Sequence, residues 1–493
     1  MNKKYKVNLL TKLLICLNFI FLSLSCFSED RYYSEKIPRA AREDEQNLGN
    51  SAISGCNNCN GFFKPVIPPT CICNVKIPCA GTPITAPVTI SSPGYYCLAN
   101  DITGGIIITA NDVSLDLNNH TMSGAGIGSG SGIVINSGFN RKVFNGRIVN
   151  FDNGVSCNQS MNTLINEVAI NTCFVEGMTI TTCTGTVLDS IVINTIGNIG
   201  VHFNGINDAS LIKNVTVSNA QQGIICDNIS NSIIEFCNIF DCTSNIFPSF
   251  ANAGFAINGG SSNQIDSCTV KNLRSIDFPV GFVFDGNDNI VVRNCVAQNI
   301  TAFSPTAAFA AGYLCTQGVV ANYQFSNCSA VAISGGGFVA GFEMNGNVGV
   351  IEDCIAQDCI ATAVPPANGV GFFESGRRIS LTNCQAFNCS GAGFSTNSGT
   401  PVSDVTFQYC QSTNSTIGFL TTISTSLIGN CVAFNNTTGF QIAAGTSIYH
   451  CFASNNGTHY AGAGAVNVQN ANTQVDTTVV GPTGPFAGAN LFM

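Results

Sequence analysis

Short apolar segments that follow a glycine recur along most of the chain. In each segment a glycine precedes an apolar residue, then any residue, then usually a second apolar residue. This alternation has the period of two that is typical of a β-strand, and Gly and Asn bound the segments. The fourteen glycines are Gly105, Gly132, Gly154, Gly177, Gly200, Gly223, Gly254, Gly281, Gly312, Gly341, Gly371, Gly393, Gly418 and Gly439.

A second pattern repeats in phase with the first. It includes Asn294-Cys-Val-Ala-Gln-Asn299, Asp353-Cys-Ile-Ala-Gln-Asp358 and Asn430-Cys-Val-Ala-Phe-Asn435. Because successive glycines are at least 21 residues apart, one repeat fits three short strands and three turns. We therefore predict an all-β fold: a single-stranded, right-handed parallel β-helix of about fourteen coils over residues 98–460.

The opening coils resemble a known family. Val113-Ser-Leu-Asp-Leu-Asn-Asn-His-Thr-Met-Ser-Gly124 and Asn145-Gly-Arg-Ile-Val-Asn-Phe-Asp152 are similar to first coils of pectate-lyase-like right-handed β-helix proteins, including the periplasmic copper-protein maturation type. The resemblance covers roughly residues 85–460 and implies the fold. It implies no single function, because this fold carries lyases, hydrolases, adhesins and structural proteins.

Stacked coils turn each sequence position into a column of side chains. The residues after the repeat glycines change from aliphatic to aromatic halfway along, from Ile106 to Phe440, and are expected in the core. A second core column is formed by the residues two positions further along each strand, and Glu374 interrupts it. We interpret this residue as a local register shift, because an unpaired carboxylate is costly to bury. The turn column is Asn204, Asp227, Asn258, Asp285 and Asn345. These residue types tolerate left-handed backbone and can bond along a ladder, so we expect a structural role.

A column of cysteines is also predicted to point inward. In-register stacking on parallel strands gives poor disulfide geometry, so mostly free thiols are expected. The column is Cys295, Cys328, Cys354, Cys384, Cys410, Cys431 and Cys451.

The first residues have the features of a secretory signal, predicted over 1–28. Four lysines precede a short apolar core, and cleavage near Ser28 is favoured over lipidation of Cys26 in a weak lipobox-like sequence. A flexible polar leader is expected over 29–55 and a Gly/Ala/Asn-rich tail over 461–493. Beyond the signal, no transmembrane segment is expected. The sequence thus predicts export to the periplasm, the cell surface or the medium.

A Cys/Pro-rich cap is predicted over residues 56–97. Six cysteines in an exported stretch favour disulfides, with fifteen possible pairings, over metal binding through Cys56-x-x-Cys59. No histidine lies nearby and the spacing is irregular for zinc. The cysteines are Cys56, Cys59, Cys71, Cys73, Cys79 and Cys97.

The amino-acid composition limits the classes of molecule that the protein is expected to bind. Only 10% of residues are charged, the formal net charge is −9, and Trp is absent. Since no basic stripe remains outside the signal, nucleic-acid binding is not expected. The four histidines are scattered through the coils: His202 is predicted to point outward, and all are interpreted as isolated polar residues without a metal site.

Catalytic signatures are weak. β-Helix lyases use an Arg or Lys base beside acidic calcium ligands, and glycosidases need paired carboxylates. The best candidates for such chemistry are Asp285, Asp288, Arg293 and Glu343, with Ca²⁺ as cofactor only for a lyase. We therefore favour a non-enzymatic exported protein that binds a glycan or host surface or acts as a spacer. The alternative is a polysaccharide lyase or hydrolase.

Overall fold

The computed structural model describes residues 79–244, 252–304, 308–316, 321–362, 369–396, 404–422, 425–462 and the strand 467–469. The predicted signal, leader and most of the cap and tail therefore lie outside the described residues. Every strand pairing within the described residues is parallel and links one coil to the next. The predicted all-β, right-handed parallel β-helix is confirmed.

One wall of the helix is a ladder of sixteen described strands, called sheet 1 here. It contains all fourteen predicted glycine segments and adds one strand at each end. Its strands are Thr89–Ile90, Ile106–Ile108, Ser131–Ile135, Asn153–Asn158, Glu176–Thr181, Ile199–Asn204, Gln222–Asp227, Asn252–Asn258, Pro279–Asp285, Ala310–Cys315, Val339–Met344, Gly369–Glu374, Ala392–Thr396, Ile417–Leu420, Thr438–Gln441 and Thr458–Ala461.

The other two walls form one continuous sheet of twenty-nine described strands, sheet 2, because early strands such as Ser160–Cys173 bend through both walls. A two-stranded ladder, Asn207–Asp208 with Ile229–Ser230, lies at one corner. The strands of sheet 2 are Thr82–Ile84, Gly94–Leu98, Ile102–Thr103, Val113–Asp116, Thr121–Ser123, Gly138–Val149, Ser160–Cys173, Val187–Ile196, Leu211–Ser218, Ile233–Glu235, Asn238–Phe240, Thr243–Ser244, Gln264–Asp266, Thr269–Ser275, Asp288–Arg293, Val296–Ala302, Ala321–Ser326, Ser329–Gly335, Asn347–Glu352, Ile355–Ala361, Arg377–Thr382, Gln385–Phe387, Thr406–Gln408, Gln411–Thr413, Leu427–Gly429, Val432–Phe434, Ser447–Tyr449, Phe452–Ser454 and Asn467–Gln469.

The N-terminal boundary differs from the prediction. Thr82–Ile84 already pairs with Gly94–Leu98, so the ladders begin inside the stretch 56–97 that was assigned to the cap. A disulfide joins Cys79 to Cys97 at a Cα–Cα distance of 5.7 Å. The other four cap cysteines lie outside the described residues.

Close approach of neighbouring coils explains the repeat glycine. A Cβ atom on Gly371 would lie 2.6 Å from the carbonyl oxygen of Gly393 on the next coil. The Asn-Cys pattern has a different cause, since both of its Asn/Asp positions have positive φ: 54° at Asp353 and 55° at Asp358. These are the non-glycine residues that best tolerate left-handed backbone, and here they turn the corners of the coil.

The predicted core columns are confirmed. From Phe255 to Tyr460 the rings after the repeat glycine stack coil upon coil, with centroids 4.5–5.3 Å apart and ring planes within 10°. The cysteine column is buried and free, and it extends back to Cys237 and Cys268. Each sulfur donates to nearby main-chain carbonyls; for example, Cys354 Sγ lies 3.2 Å from the oxygen of Glu352.

One sequence interpretation is wrong. Glu374 shows no register shift: it pairs with Met344 and Thr396 and is fully buried in the core. In the turn column, the left-handed residues are those that follow Asp227 and Asn258, namely Asn228 and Gly259. The turn side chains do bond along a ladder as expected, with Asn258 Nδ2 donating to Asp227 Oδ1 at 2.9 Å.

Candidate functional site

The outer face of sheet 1 places three ionisable side chains on consecutive coils. The outward column contains Ser156, Thr179, His202 and Ile225, which are neighbours in the strand register. Glu176 precedes its repeat glycine on the coil before His202, and Asp227 ends the strand on the coil after it. We call Glu176, His202 and Asp227 the histidine site.

Both ring nitrogens of His202 are bonded to carboxylates. Nδ1 lies 2.9 Å from Glu176 Oε1, and Nε2 lies 3.0 Å from Asp227 Oδ2. The outer oxygens of the two carboxylates are also satisfied: the Thr179 hydroxyl donates to Glu176, and the Asn258 amide donates to Asp227. The His202 side chain is only 16% exposed, so water screens these contacts weakly.

Hydrogen bonding within the histidine site stabilises the charged forms of its residues. The hydrogen bond to Asp227, then the one to Glu176, raises the pKa of His202 to about 9. The hydrogen bond from His202 in turn lowers the pKa of Asp227. At neutral pH the site is an imidazolium between two carboxylates, with both N–H groups donated. It therefore joins three coils electrostatically and offers no free ring nitrogen as a general base.

This finding corrects the interpretation of the histidines as isolated polar residues. His202 points outward as predicted but belongs to a three-residue group. His120 is buried, and its Nδ1 lies 2.9 Å from Asp101 Oδ1. His459 is also buried, with neither ring nitrogen bonded, and takes the repeat-glycine position in Thr458–Ala461.

Replacing His202 by Gln is expected to destabilise the protein by about 2 kcal/mol near pH 6, the typical scale for hydrogen bonds to charged groups. Since the folded pKa lies above the unfolded value of about 6.5, the contribution is complete below pH 6.5 and disappears as pH rises through 9. Urea midpoints of both proteins from pH 6 to pH 10 measure this. A difference that stays constant across this range contradicts a charged histidine site.

The four sequence candidates for catalysis are spread over two walls. Asp285 ends Pro279–Asp285 and accepts from the Thr316 hydroxyl. Glu343 lies in sheet 1 two coils later, between Leu314 and Phe373 in the outward column. Asp288 and Arg293 are the exposed first and last residues of one strand of sheet 2.

Glu343 differs from the other three because it is largely buried. Its Oε1 accepts from Asn345 Nδ2 at 2.9 Å, and its Oε2 is buried without a partner. Burial raises the pKa of this carboxyl group. No hydrogen bond or ion pair joins Glu343 to any of the other three candidates, all of which the structure describes.

A polar groove of about 660 Å³ runs along a corner of the C-terminal coils. It contains three stacked turns that each contribute an Asn and a hydroxyl residue. No charged side chain lines it within the described residues. The lining residues are Ile360, Asn388, Cys389, Ser390, Asn414, Ser415, Thr416, Asn435, Asn436, Thr437 and Gly457.

Hydrogen bonds between coils fix the walls of this groove. Asn455 Nδ2 donates to Asn435 Oδ1 at 3.3 Å, and Asn435 donates to Asn414 in the same way. The Thr416 hydroxyl donates to the Ser390 carbonyl at 2.6 Å. Phe434, which directly precedes Asn435 in the chain, is 41% exposed.

The part of the chain that the structure describes contains neither a metal-binding cluster nor a membrane-crossing helix. No group of three or more His, Cys, Asp and Glu side chains is placed to bind a metal ion. None of the described residues forms a helix of the length and hydropathy needed to cross a membrane.

Comparison with known proteins shows similarity at the level of the fold. No protein-family model and no curated protein sequence matches the chain. Among solved structures, it is similar to the catalytic unit of a thermostable GH87 α-1,3-glucanase from Streptomyces thermodiastaticus strain HF3-3, with 11% identity and a TM-score of 0.38. That match covers 79% of this chain and 64% of the glucanase, less than two thirds of its length.

Two other similar structures have different roles. PfbA, a surface adhesin of Streptococcus pneumoniae, is 11% identical with a TM-score of 0.35, over 68% of this chain and 82% of the adhesin. An alginate lyase from Paenibacillus sp. str. FPU-7 is 12% identical with a TM-score of 0.28, over 70% of this chain and 98% of the lyase. Likenesses this distant do not transfer a substrate or an activity.

Proposed function

We propose that this protein is an exported glycan-binding β-helix, and that the polar groove of the C-terminal coils holds a neutral segment of the glycan. The observation that carries the proposal is the groove lining. Sugar hydroxyls both donate and accept hydrogen bonds, and side-chain amides and hydroxyls can match both roles without a charge. Export is supported by the basic-then-apolar N-terminus and by the Cys79–Cys97 disulfide.

Two features of the groove suit an extended chain of sugars. Coils repeat about every 4.8 Å, so equivalent donors and acceptors recur along the corner. The ladder of Asn414, Asn435 and Asn455 holds its amides in fixed orientations, which lowers the entropy lost on binding.

The first test is binding of the chain from residue 29 to residue 493 to a broad glycan array, with and without Ca²⁺. A neutral glycan bound equally well in both conditions supports the proposal. A blank array overturns it, and binding only of acidic glycans in the presence of Ca²⁺ overturns it in favour of a lyase. Any bound glycan is then incubated with the protein, and release of shorter products would favour the alternative of a polysaccharide lyase or hydrolase.

Removing two hydroxyl groups from the groove is expected to weaken binding of the array hit about tenfold. Thr416→Val with Thr437→Val keeps the side-chain shapes, and each lost hydrogen bond costs about 0.5–1.5 kcal/mol. The matched control is Thr103→Val with Thr243→Val, two exposed strand residues on distant coils. Calorimetric titration of the three proteins measures the effect. Equal affinities for all three place the glycan elsewhere.

A further inference from the structure

A guanidinium group is fully buried among the N-terminal coils. Arg141 has no exposed surface and is among the largest buried side chains of the described structure. Its Nε donates to the carbonyl of Ala110 at 2.9 Å, and its Nη2 donates to those of Ser137 and Thr109 at 2.8 and 3.5 Å. Its Nη1 donates to the Ser160 hydroxyl at 3.0 Å. None of these acceptors carries a charge, although a buried cation is normally paired with an anion.

Two buried thiols lie beside this cation. The sulfurs of Cys157 and Cys183 are 3.7 Å apart, and both residues have no exposed surface. The backbone N–H of Ser160 donates to Cys183 Sγ at 3.4 Å, and the Thr163 hydroxyl lies 3.9 Å from Cys157 Sγ. The hydroxyls of Ser160 and Thr163, 2.7 Å apart, complete a continuous polar cluster that reaches Arg141.

Cys157 and Cys183 are placed differently relative to each other than neighbouring members of the cysteine column are. Column members occupy equivalent positions on successive coils, which is unfavourable for a disulfide on parallel strands. Cys157 instead pairs in register with Ile180, and Cys183 follows three residues later, beyond the corner formed by Thr182 at φ 53°. The two side chains therefore meet across a corner, where their Cα–Cβ directions are not constrained to be parallel.

We propose that Cys157 and Cys183, which lie in the polar cluster that reaches Arg141, form an intramolecular disulfide in the exported protein, with Cys183 as the attacking thiolate. Cys183 thiolate attacks one sulfur of an external disulfide such as oxidised glutathione, and one glutathione thiolate leaves. Cys157 then loses its proton and attacks the Cys183 sulfur of the mixed disulfide, which releases the second glutathione thiolate. Two electrons pass from the protein thiols to the oxidant, and two cysteine protons are transferred to solvent or the glutathione thiolates.

The electrostatics of the cluster assign the two roles. The hydrogen bond from Cys157 lowers the pKa of Cys183 to about 7, and the main-chain donor at Ser160 acts in the same direction. The hydrogen bond to Cys183, together with burial, raises the pKa of Cys157. Because the Ser160 N–H points at Cys183 Sγ, Cys183 is the attacking thiolate and Cys157 the resolving thiol. Both sulfurs are buried in the folded protein, so the exchange occurs during folding, once Ser160 lies against Cys183 but before the corner closes over the sulfurs.

The test is disulfide mapping of the full chain after refolding in a glutathione redox buffer. Free thiols are alkylated in denaturant, and the unreduced protein is digested for mass spectrometry. We expect a peptide pair linked through Cys157 and Cys183, alongside the Cys79–Cys97 pair. Cys384 and Cys410, stacked neighbours in the column, are the internal control and should be alkylated. Alkylation of both Cys157 and Cys183 while Cys79–Cys97 is intact overturns the proposal.

Two single variants test which sulfur attacks the oxidant and which resolves the mixed disulfide. With Cys157→Ser, no resolving thiol remains, so Cys183 is expected to retain one glutathione as a mixed disulfide after the same refolding. Cys183→Ser should leave Cys157 free and alkylated. The proposed order of attack is overturned if Cys157 carries the glutathione in the second variant and Cys183 does not in the first.

Discussion

Phe394→Ala is expected to lower the free energy of unfolding of the C-terminal coils by about 4 kcal/mol, since truncation of a buried phenylalanine costs about 3–5 kcal/mol. The ring is fully buried and stacks on Phe372 at 4.9 Å and on Phe419 at 4.8 Å. It also meets Phe407 edge-on at 5.7 Å. The variant therefore loses three ring contacts and leaves a cavity between two coils that the stacked backbone cannot close.

Urea unfolding followed by circular dichroism measures this effect. In a solenoid each coil contacts only its neighbours, so a separate early transition of the C-terminal coils is expected. Phe139→Ala is the matched control, because that ring is 42% exposed and its loss should cost little. Phe394→Leu should lie between the two. Equal midpoints for the Ala variants would show that the aromatic column does not hold the coils together.

The fold could be predicted because a solenoid repeats the same physical requirement in every coil. Gly371 is needed where a neighbouring carbonyl oxygen approaches, and Asp353 is needed where the backbone is left-handed. Both requirements leave a residue type at a fixed spacing, which makes them visible in one sequence. The two terminal strands of sheet 1 escaped prediction because they lack the glycine: Thr89–Ile90 is two residues long, and His459 takes its place in the last described strand.

The histidine site could not be found from local spacing. Glu176, His202 and Asp227 occupy three different positions relative to their repeat glycines, so no column of like residues marks them. They meet because the Glu176 and His202 side chains reach across neighbouring coils. The polar groove was missed for a related reason, since its asparagines also serve as corner residues such as Asn414, at φ 57°.

Glu374→Met is expected to stabilise the protein by up to about 4 kcal/mol at pH 7, at about 1.4 kcal/mol for each pH unit above 4.3. Glu374 is fully buried, neither carboxylate oxygen has a hydrogen-bond partner, and its register neighbour Met344 shows that a methionine fits this column. Burial raises the pKa of the carboxyl group well above its usual range. The folded protein therefore keeps a proton that the unfolded chain releases above about pH 4.3.

The sign of the pH dependence follows from this proton. Above pH 4.3 the unfolded state binds fewer protons than the folded state, so stability falls by about 1.4 kcal/mol per pH unit until the folded pKa is reached. Glu374→Met removes this pH dependence. Glu374→Gln should also remove it, but with a smaller increase in the free energy of unfolding, because an unpaired amide remains buried. Urea midpoints from pH 5 to pH 8 measure it, with Glu352→Gln on the outer face of sheet 2 as the control. Parallel curves for wild type and Glu374→Met would mean that the carboxyl group is not held protonated in the core.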